Sequence, residues 1–300
     1  MKVTRILPLL LAVPLGQAYA DTPIQLSHPA SASAQISVSN VKGEVIITAW
    51  DRNELQVGGR LGDGAQPLVI TGTDDKLTVD VQAQGKGGWF NWGSDNQMGP
   101  STLELHVPKG ASLKVEVVSA PVGIDGTDGG TITLNTVSGK LRINSRTPAL
   151  TANSVSGSIE VAGHADNANL QTVSGDILAP SIGYHAELQT VSGRIHVNGG
   201  PWQRLTLSTV SGDVQVGGNL VAGGTLGIDS MSGDVQLQLP STLSSTIHAS
   251  TFSGDLRSDF GEPKKADHGP GSELQTTAGD GKAKISVETF SGDLRIRKQD

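Results

Sequence analysis

The 300-residue chain contains no cysteine, which removes disulfide scaffolds, thiolate metal sites and a lipid-modified N-terminal cysteine from consideration. Aromatic residues make up only 3%, so the interior must be filled by Val, Ile, Leu and Ala, which suits thin, regular β architectures better than a compact enzyme core. Charged residues, at 17%, fall below the roughly 25% of an average domain, and Ser, Thr, Asn and Gln carry the polar surface instead. Basic charge is in particularly short supply. The formal net charge of −7 argues against a nucleic-acid partner, which needs a basic stripe to neutralise phosphates, and against an anionic membrane surface. Past the first twenty residues, no segment is long and apolar enough to cross a bilayer.

What is present begins with a leader. Lys2 and Arg5 precede the apolar run Ile6 to Leu15, and Ala18-Tyr19-Ala20 supplies a small-x-small cleavage site. Residues 1–20 therefore read as a secretory signal peptide, and the chain is expected to be exported, to the periplasm or the cell surface. Cleavage before Asp21 would leave 20 basic against 29 acidic groups, a net charge of −9. The alternative, an N-terminal membrane anchor, would need about 20 apolar residues, more than this run provides.

Glycine is abundant, with 39 residues, and much of it is periodic. The tetrapeptides Thr136-Val137-Ser138-Gly139, Ser154-Val155-Ser156-Gly157, Thr172-Val173-Ser174-Gly175, Thr190-Val191-Ser192-Gly193 and Thr209-Val210-Ser211-Gly212 repeat, followed by Ser230-Met231-Ser232-Gly233, Thr251-Phe252-Ser253-Gly254 and Thr289-Phe290-Ser291-Gly292. Their glycines are separated by 18, 18, 18, 19, 21, 21 and 38 residues. A period of this size signals units that cannot bury an apolar face alone and must stack on one another.

An apolar column precedes each turn: Leu134, Ala152, Leu170, Leu188, Leu207, Ile228, Ala249 and Val287. A second follows it: Leu141, Ile159, Ile177, Ile195, Val214, Val235, Leu256 and Leu294. Alternation at period two on both sides of Ser-Gly predicts an all-β chain, a parallel β-solenoid of about 18–21 residues per coil with two short strands in each. Its handedness is open, right-handed being the default from crossover chirality. The same reading turns both Thr172 and Val173 inward at a corner, making the Val137 to Phe290 column part of the core. Val173→Asp is then expected to disorder neighbouring coils.

Residues 21–34 read as a linker, 35–117 as a degenerate β region continuous with the stack, and 118–300 as the regular repeat with a loop insertion at 258–282. A second irregular segment, Gln84 to Pro100, carries Trp89, Phe90 and Trp92 among five glycines. These aromatics can stack on sugars, enter a lipid interface or anchor a partner, or they can fold back to cover a face or an end of the stack.

The segment Asn40-Val41-Lys42-Gly43 followed by Val45-Ile46-Ile47-Thr48-Ala49-Trp50-Asp51, the Leu105-His106-Val107-Pro108-Lys109-Gly110 segment and the Thr-Val-Ser-Gly-Asp repeats together resemble the DUF4097-type family of adhesin-like bacterial proteins. The resemblance covers residues 35 to 300. It implies β-strand repeats and export or association with the cell envelope, and brings no catalytic residue with it.

The most suggestive polar column follows the glycine. Asp176, Arg194 and Asp213 alternate in sign and predict an ion-pair ladder, whereas Asp213, Asp234 and Asp255 would repel one another if stacked in order. Three such carboxylates fit a calcium site, an acidic catalytic groove, or turn-capping side chains splayed into solvent. The histidines form no ladder, and neither a His-x-x-x-His pair nor a nucleophile elbow occurs. No metal or cofactor is expected. The function expected is a non-enzymatic envelope scaffold or binding module for an extended partner, an envelope glycan or an envelope protein. The alternative is a carbohydrate-active β-helix enzyme working through Asp213, Asp234 and Asp255.

Overall fold

The computed structural model describes residues 22–83, 98–266 and 270–299. The fold is all-β, without a helix among the described residues. Two ladders of parallel strands run through it, in the register that the repeat implies. On one, Leu141 aligns with Ile159, Ile177, Ile195, Val214 and Val235 in turn. On the other, Leu134, Ala152, Leu170, Leu188, Leu207 and Ile228 align. Both columns are buried, so the core is a stack of aliphatic side chains contributed one rung at a time. Upstream, Val122, Val45 and Leu103 extend the first ladder, while Val115, Val38 and Val79 extend the second.

The order of rungs departs from the order of the chain at both ends. Val287 and Leu294, the last to be made, lie between Ile228 and Ala249 on one ladder and between Val235 and Leu256 on the other. Likewise the early strand Gln35–Trp50 sits between Lys76–Asp80 or Ser101–Pro108 on one side and the strands Ser112–Ser119 and Val122–Asp128 on the other. Antiparallel strands cover the outermost rungs: Ser272–Ala278 on Ser245–Ser253 at one end, Ile70–Thr73 on Lys76–Asp80 and Glu54–Leu61 on Ser101–Pro108 at the other. Covered edges are poor templates for uncontrolled strand pairing.

Two short strands per repeat prove too simple a description. Leu141–Ser154, Ile195–Thr209 and Val214–Ser232 each continue past the end of one ladder and into the other. They bend at register shifts, between Asn144 and Arg146 and between Gly199 and Trp202, where an irregular residue turns the strand without a loop.

The segment expected to be a linker is in part a strand. Thr22–Pro29 pairs antiparallel with Glu54–Leu61. Its polar, proline-bearing sequence reads as loop, but Ile24 is buried against the core, and an edge position tolerates Pro23 and Pro29 because an edge strand has amides that need no sheet partner.

The corner of each repeat also differs from the expectation. Thr172 is buried, whereas Val173 is 44% exposed, and the two consecutive outward residues are Val173 and Ser174. The reason is a hydrogen bond that an aliphatic side chain could not make. The Gly175 amide donates to Thr172 Oγ1 at 3.1 Å, and that hydroxyl donates to the Gly157 carbonyl one rung away at 3.2 Å. Thr190 repeats both bonds, and Ser154 and Thr209 accept from the amides of Gly157 and Gly212. Glycine follows because a Cβ at position 175 would collide with the Gly157 carbonyl.

Candidate functional site

Turning the valine outward creates the most distinctive surface of the molecule. Val137, Val155, Val173, Val191, Val210, Met231, Phe290 and Phe252 are each between 41% and 60% exposed, and the rung order makes them successive members of one column. The column is held by the backbone. The amides of Val173 and Ser174 both donate to the Val155 carbonyl, at 3.2 and 2.9 Å, and those of Val191 and Ser192 both donate to the Val173 carbonyl. Rungs about 4.8 Å apart leave neighbouring side chains in contact range, so the column forms a continuous apolar stripe. Single exposed aliphatics are ordinary; a contiguous line of them marks an interaction surface.

The stripe ends in a groove of about 580 Å³, within the roughly 300–1,000 Å³ of ligand clefts. Phe252 and Phe290 stack there with centroids 4.9 Å apart and planes 8° from parallel, beside Met231 and Val210. The insertion supplies a wall through Ala266, Gly271 and Ser272. Gly271 permits the close approach, since a Cβ there would lie 3.0 Å from Phe252 Cα. Among the described residues, the charged ones lining the groove are Asp229, Glu288 and Glu273. Ser230 and Thr289 also border it, but their hydroxyls are buried, without a hydrogen-bond partner among the described residues.

The acidic column is built differently from its expected order. Asp293 lies between Asp234 and Asp255, giving the sequence Asp213, Asp234, Asp293, Asp255 along the stack. Three of the four carboxylates serve a neighbour's backbone: Asp213 Oδ1 accepts from the Asp234 amide at 3.0 Å, Asp234 Oδ1 from Asp293 at 2.9 Å and Asp293 Oδ1 from Asp255 at 3.1 Å. Arg295 pairs with Asp293 and Arg257 with Asp255. The accompanying cavity is only about 110 Å³. Among the described residues no group of three or more His, Cys, Asp or Glu is arranged to hold a metal ion. Of the alternating-sign ladder, Asp176 and Arg194 do pair, at 3.0 Å. The Arg194 backbone amide and then its guanidinium hold the Asp176 carboxyl below its ordinary range. A hydrogen bond from Lys140 does the same for Glu160.

Trp89, Phe90 and Trp92 lie outside the described residues. Sequence reasoning found every member of the apolar stripe but placed it in the core. The available signal was the position before each valine, which is always Thr or Ser and never aliphatic, as a buried hydroxyl with a backbone partner requires.

The chain belongs to the Toastrack DUF4097 family, whose model matches residues 33–297. Among solved structures it is similar to a "putative adhesin" from Parabacteroides merdae, with 11% identity and a TM-score of 0.55 over 93% of this chain and 100% of that one. A second "putative adhesin", from Parabacteroides distasonis, gives 11% identity and a TM-score of 0.50 over 92% and 98%. At such identity the likeness is one of fold. No curated protein matches the chain.

Proposed function

We propose that this protein is an exported, non-enzymatic binding module of the cell envelope, a β-solenoid whose apolar stripe contacts an extended envelope partner. The observation that carries the reading is the unbroken column from Val137 to Phe252, exposed although aliphatic and aromatic. Supporting export, Lys2 and Arg5 before the apolar run Ile6 to Leu15, with Ala18-Tyr19-Ala20 after it, form the pattern of a secretory leader. The acidic face, on which an enzymatic reading would rest, has carboxylates already engaged by backbone amides.

The test has two parts. Residues 1–25 fused to a reporter active only after export should deliver it out of the cytoplasm, and a reporter retained inside refutes the leader. Purified protein mixed with isolated cell envelopes should sediment with them, while Val155→Ser/Val173→Ser/Val191→Ser, folded by circular dichroism, should remain in the supernatant. Equal sedimentation of the two proteins would remove the stripe from the function.

A further inference from the structure

The groove at the end of the stripe differs from the stripe itself in charge. Along the Val137 to Val191 stretch, the outward residue two positions before each apolar one is uncharged: Asn135, Asn153, Gln171 and Gln189. At the groove that column becomes Ser208, Asp229, Glu288 and Ser250, with Glu273 facing Ser250 from the covering strand. Residues two apart on a strand share one face, about 6.5–7 Å apart. Asp229 thus flanks Met231, and Glu288 flanks Phe290. The described lining contains no Lys, Arg or His, and among the described residues no ion pair involves Asp229 or Glu288, whereas Glu273 lies 3.8 Å from His248 Nδ1 and opposite Lys264.

From this geometry we infer that the groove binds an extended cationic peptide segment in which apolar and basic side chains alternate, a deepening that rests on the binding role of the stripe. Two features select that chemistry. Parallel apolar and acidic columns match a strand-like chain whose apolar residues meet Met231, Phe290 and Phe252 while its cations meet Asp229 and Glu288. The exposed, stacked phenyl rings offer an outer face to an ammonium or guanidinium and their edges to aliphatic groups. A neutral glycan would use the ring faces but leave the carboxylates without opposite charge, and an anionic lipid surface would be repelled by them.

The experiment measures fluorescence anisotropy of labelled octapeptides against the purified full chain. A peptide alternating Val and Lys should bind, one alternating Val and Glu should not, and binding should weaken as salt rises. Phe252→Ser/Phe290→Ser and, separately, Asp229→Asn/Glu288→Gln should each weaken the Val–Lys peptide by about tenfold or more. Because all four side chains are exposed, both variants should keep the wild-type circular dichroism and melting midpoint; the isosteric acidic pair tests the groove even if the phenylalanine pair disturbs the fold. The inference is overturned if the Val–Lys peptide does not bind, if both double variants bind it as well as wild type, or if the Val–Glu peptide binds as tightly. Binding to phosphatidylethanolamine–phosphatidylglycerol vesicles without peptide binding would also overturn it. In each of these cases, retention on envelopes that is lost in the Val155, Val173 and Val191 variant would leave the wider binding role standing.

Discussion

At Thr172 a single hydroxyl decides which way the neighbouring valine faces. It accepts from the Gly175 amide and donates to the Gly157 carbonyl, so Thr172→Val keeps the volume but leaves two backbone groups without a side-chain partner. Loss of such buried bonds costs about 1–3 kcal/mol, and chemical denaturation of that variant should show a midpoint reduced accordingly. Val173→Asp, by contrast, places its charge at a half-exposed corner. The expected change there is within about 0.5 kcal/mol, the usual range for surface substitutions, with protease resistance retained. If Val173→Asp unfolds the protein while Thr172→Val is silent, the assignment of inward and outward faces is reversed. The buried Trp202, whose Nε1 donates to the Ile182 carbonyl at 3.2 Å, shows the same rule in a larger side chain: its polar atom is satisfied by a neighbouring rung.

On the face that follows the corner, aspartates form a relay of backbone acceptors. Asp234→Asn retains an oxygen for the Asp293 amide and removes one of four like charges, so its melting temperature should equal or exceed that of wild type. Asp234→Ala loses the acceptor and should be less stable by about 1 kcal/mol. A calcium-dependent rise in the wild-type midpoint, abolished in Asp234→Asn, would contradict this and make the relay a cation site. The neighbouring ion pairs add an acid sensitivity whose sign follows from their shifts. Asp176 and Glu160 have folded-state pKa values below those of the unfolded chain, so their stabilisation is present above the ordinary carboxylate range near pH 4 and is lost as pH falls through the folded values. Both groups are partly solvated, which limits each contribution to less than about 1 kcal/mol. Thermal scans from pH 6 to pH 2 should show a shallower decline below pH 4 for Asp176→Asn/Glu160→Gln than for wild type; parallel curves would exclude the pairs as the cause.

Across the whole molecule, the interleaved ends make the terminal segments structural keystones. In an array stacked in chain order, removing the last repeat leaves its neighbours intact. Here, ending the chain at Lys282 withdraws Ala283–Ser291 and Leu294–Gln299 from between two pairs of strands and exposes both sides of the gap. The buried Ile285, Val287, Leu294 and Ile296 go with them. At about 1.5–3 kcal/mol for each large aliphatic, their loss is comparable with the whole net stability of a domain, about 5–15 kcal/mol. The truncated chain should be insoluble or rapidly digested by protease. A soluble product with an unchanged melting midpoint would show that the last rung is not interleaved. The same interleaving assembles the groove, because it brings Phe290 between Met231 and Phe252, residues that chain order alone would have made adjacent.

Local alternation was sufficient to identify the two aliphatic columns, their parallel register and the Ser-Gly turns, because each follows from side-chain period and from a repeat that stacks like residues on like. What alternation could not supply was the phase of the corner: Thr and Val are similar in shape, and only the carbonyl of the next rung distinguishes the buried hydroxyl from the exposed methyl groups. Rung order at the two ends likewise depends on which partner a strand meets in space, and nothing in the spacing of Gly254 and Gly292 reports that the later rung lies inside the earlier one. The stripe was therefore legible as a column and illegible as a surface. The groove required the third dimension, since its floor, its carboxylates and its wall come from segments that are neighbours only after the chain has folded back between its own rungs.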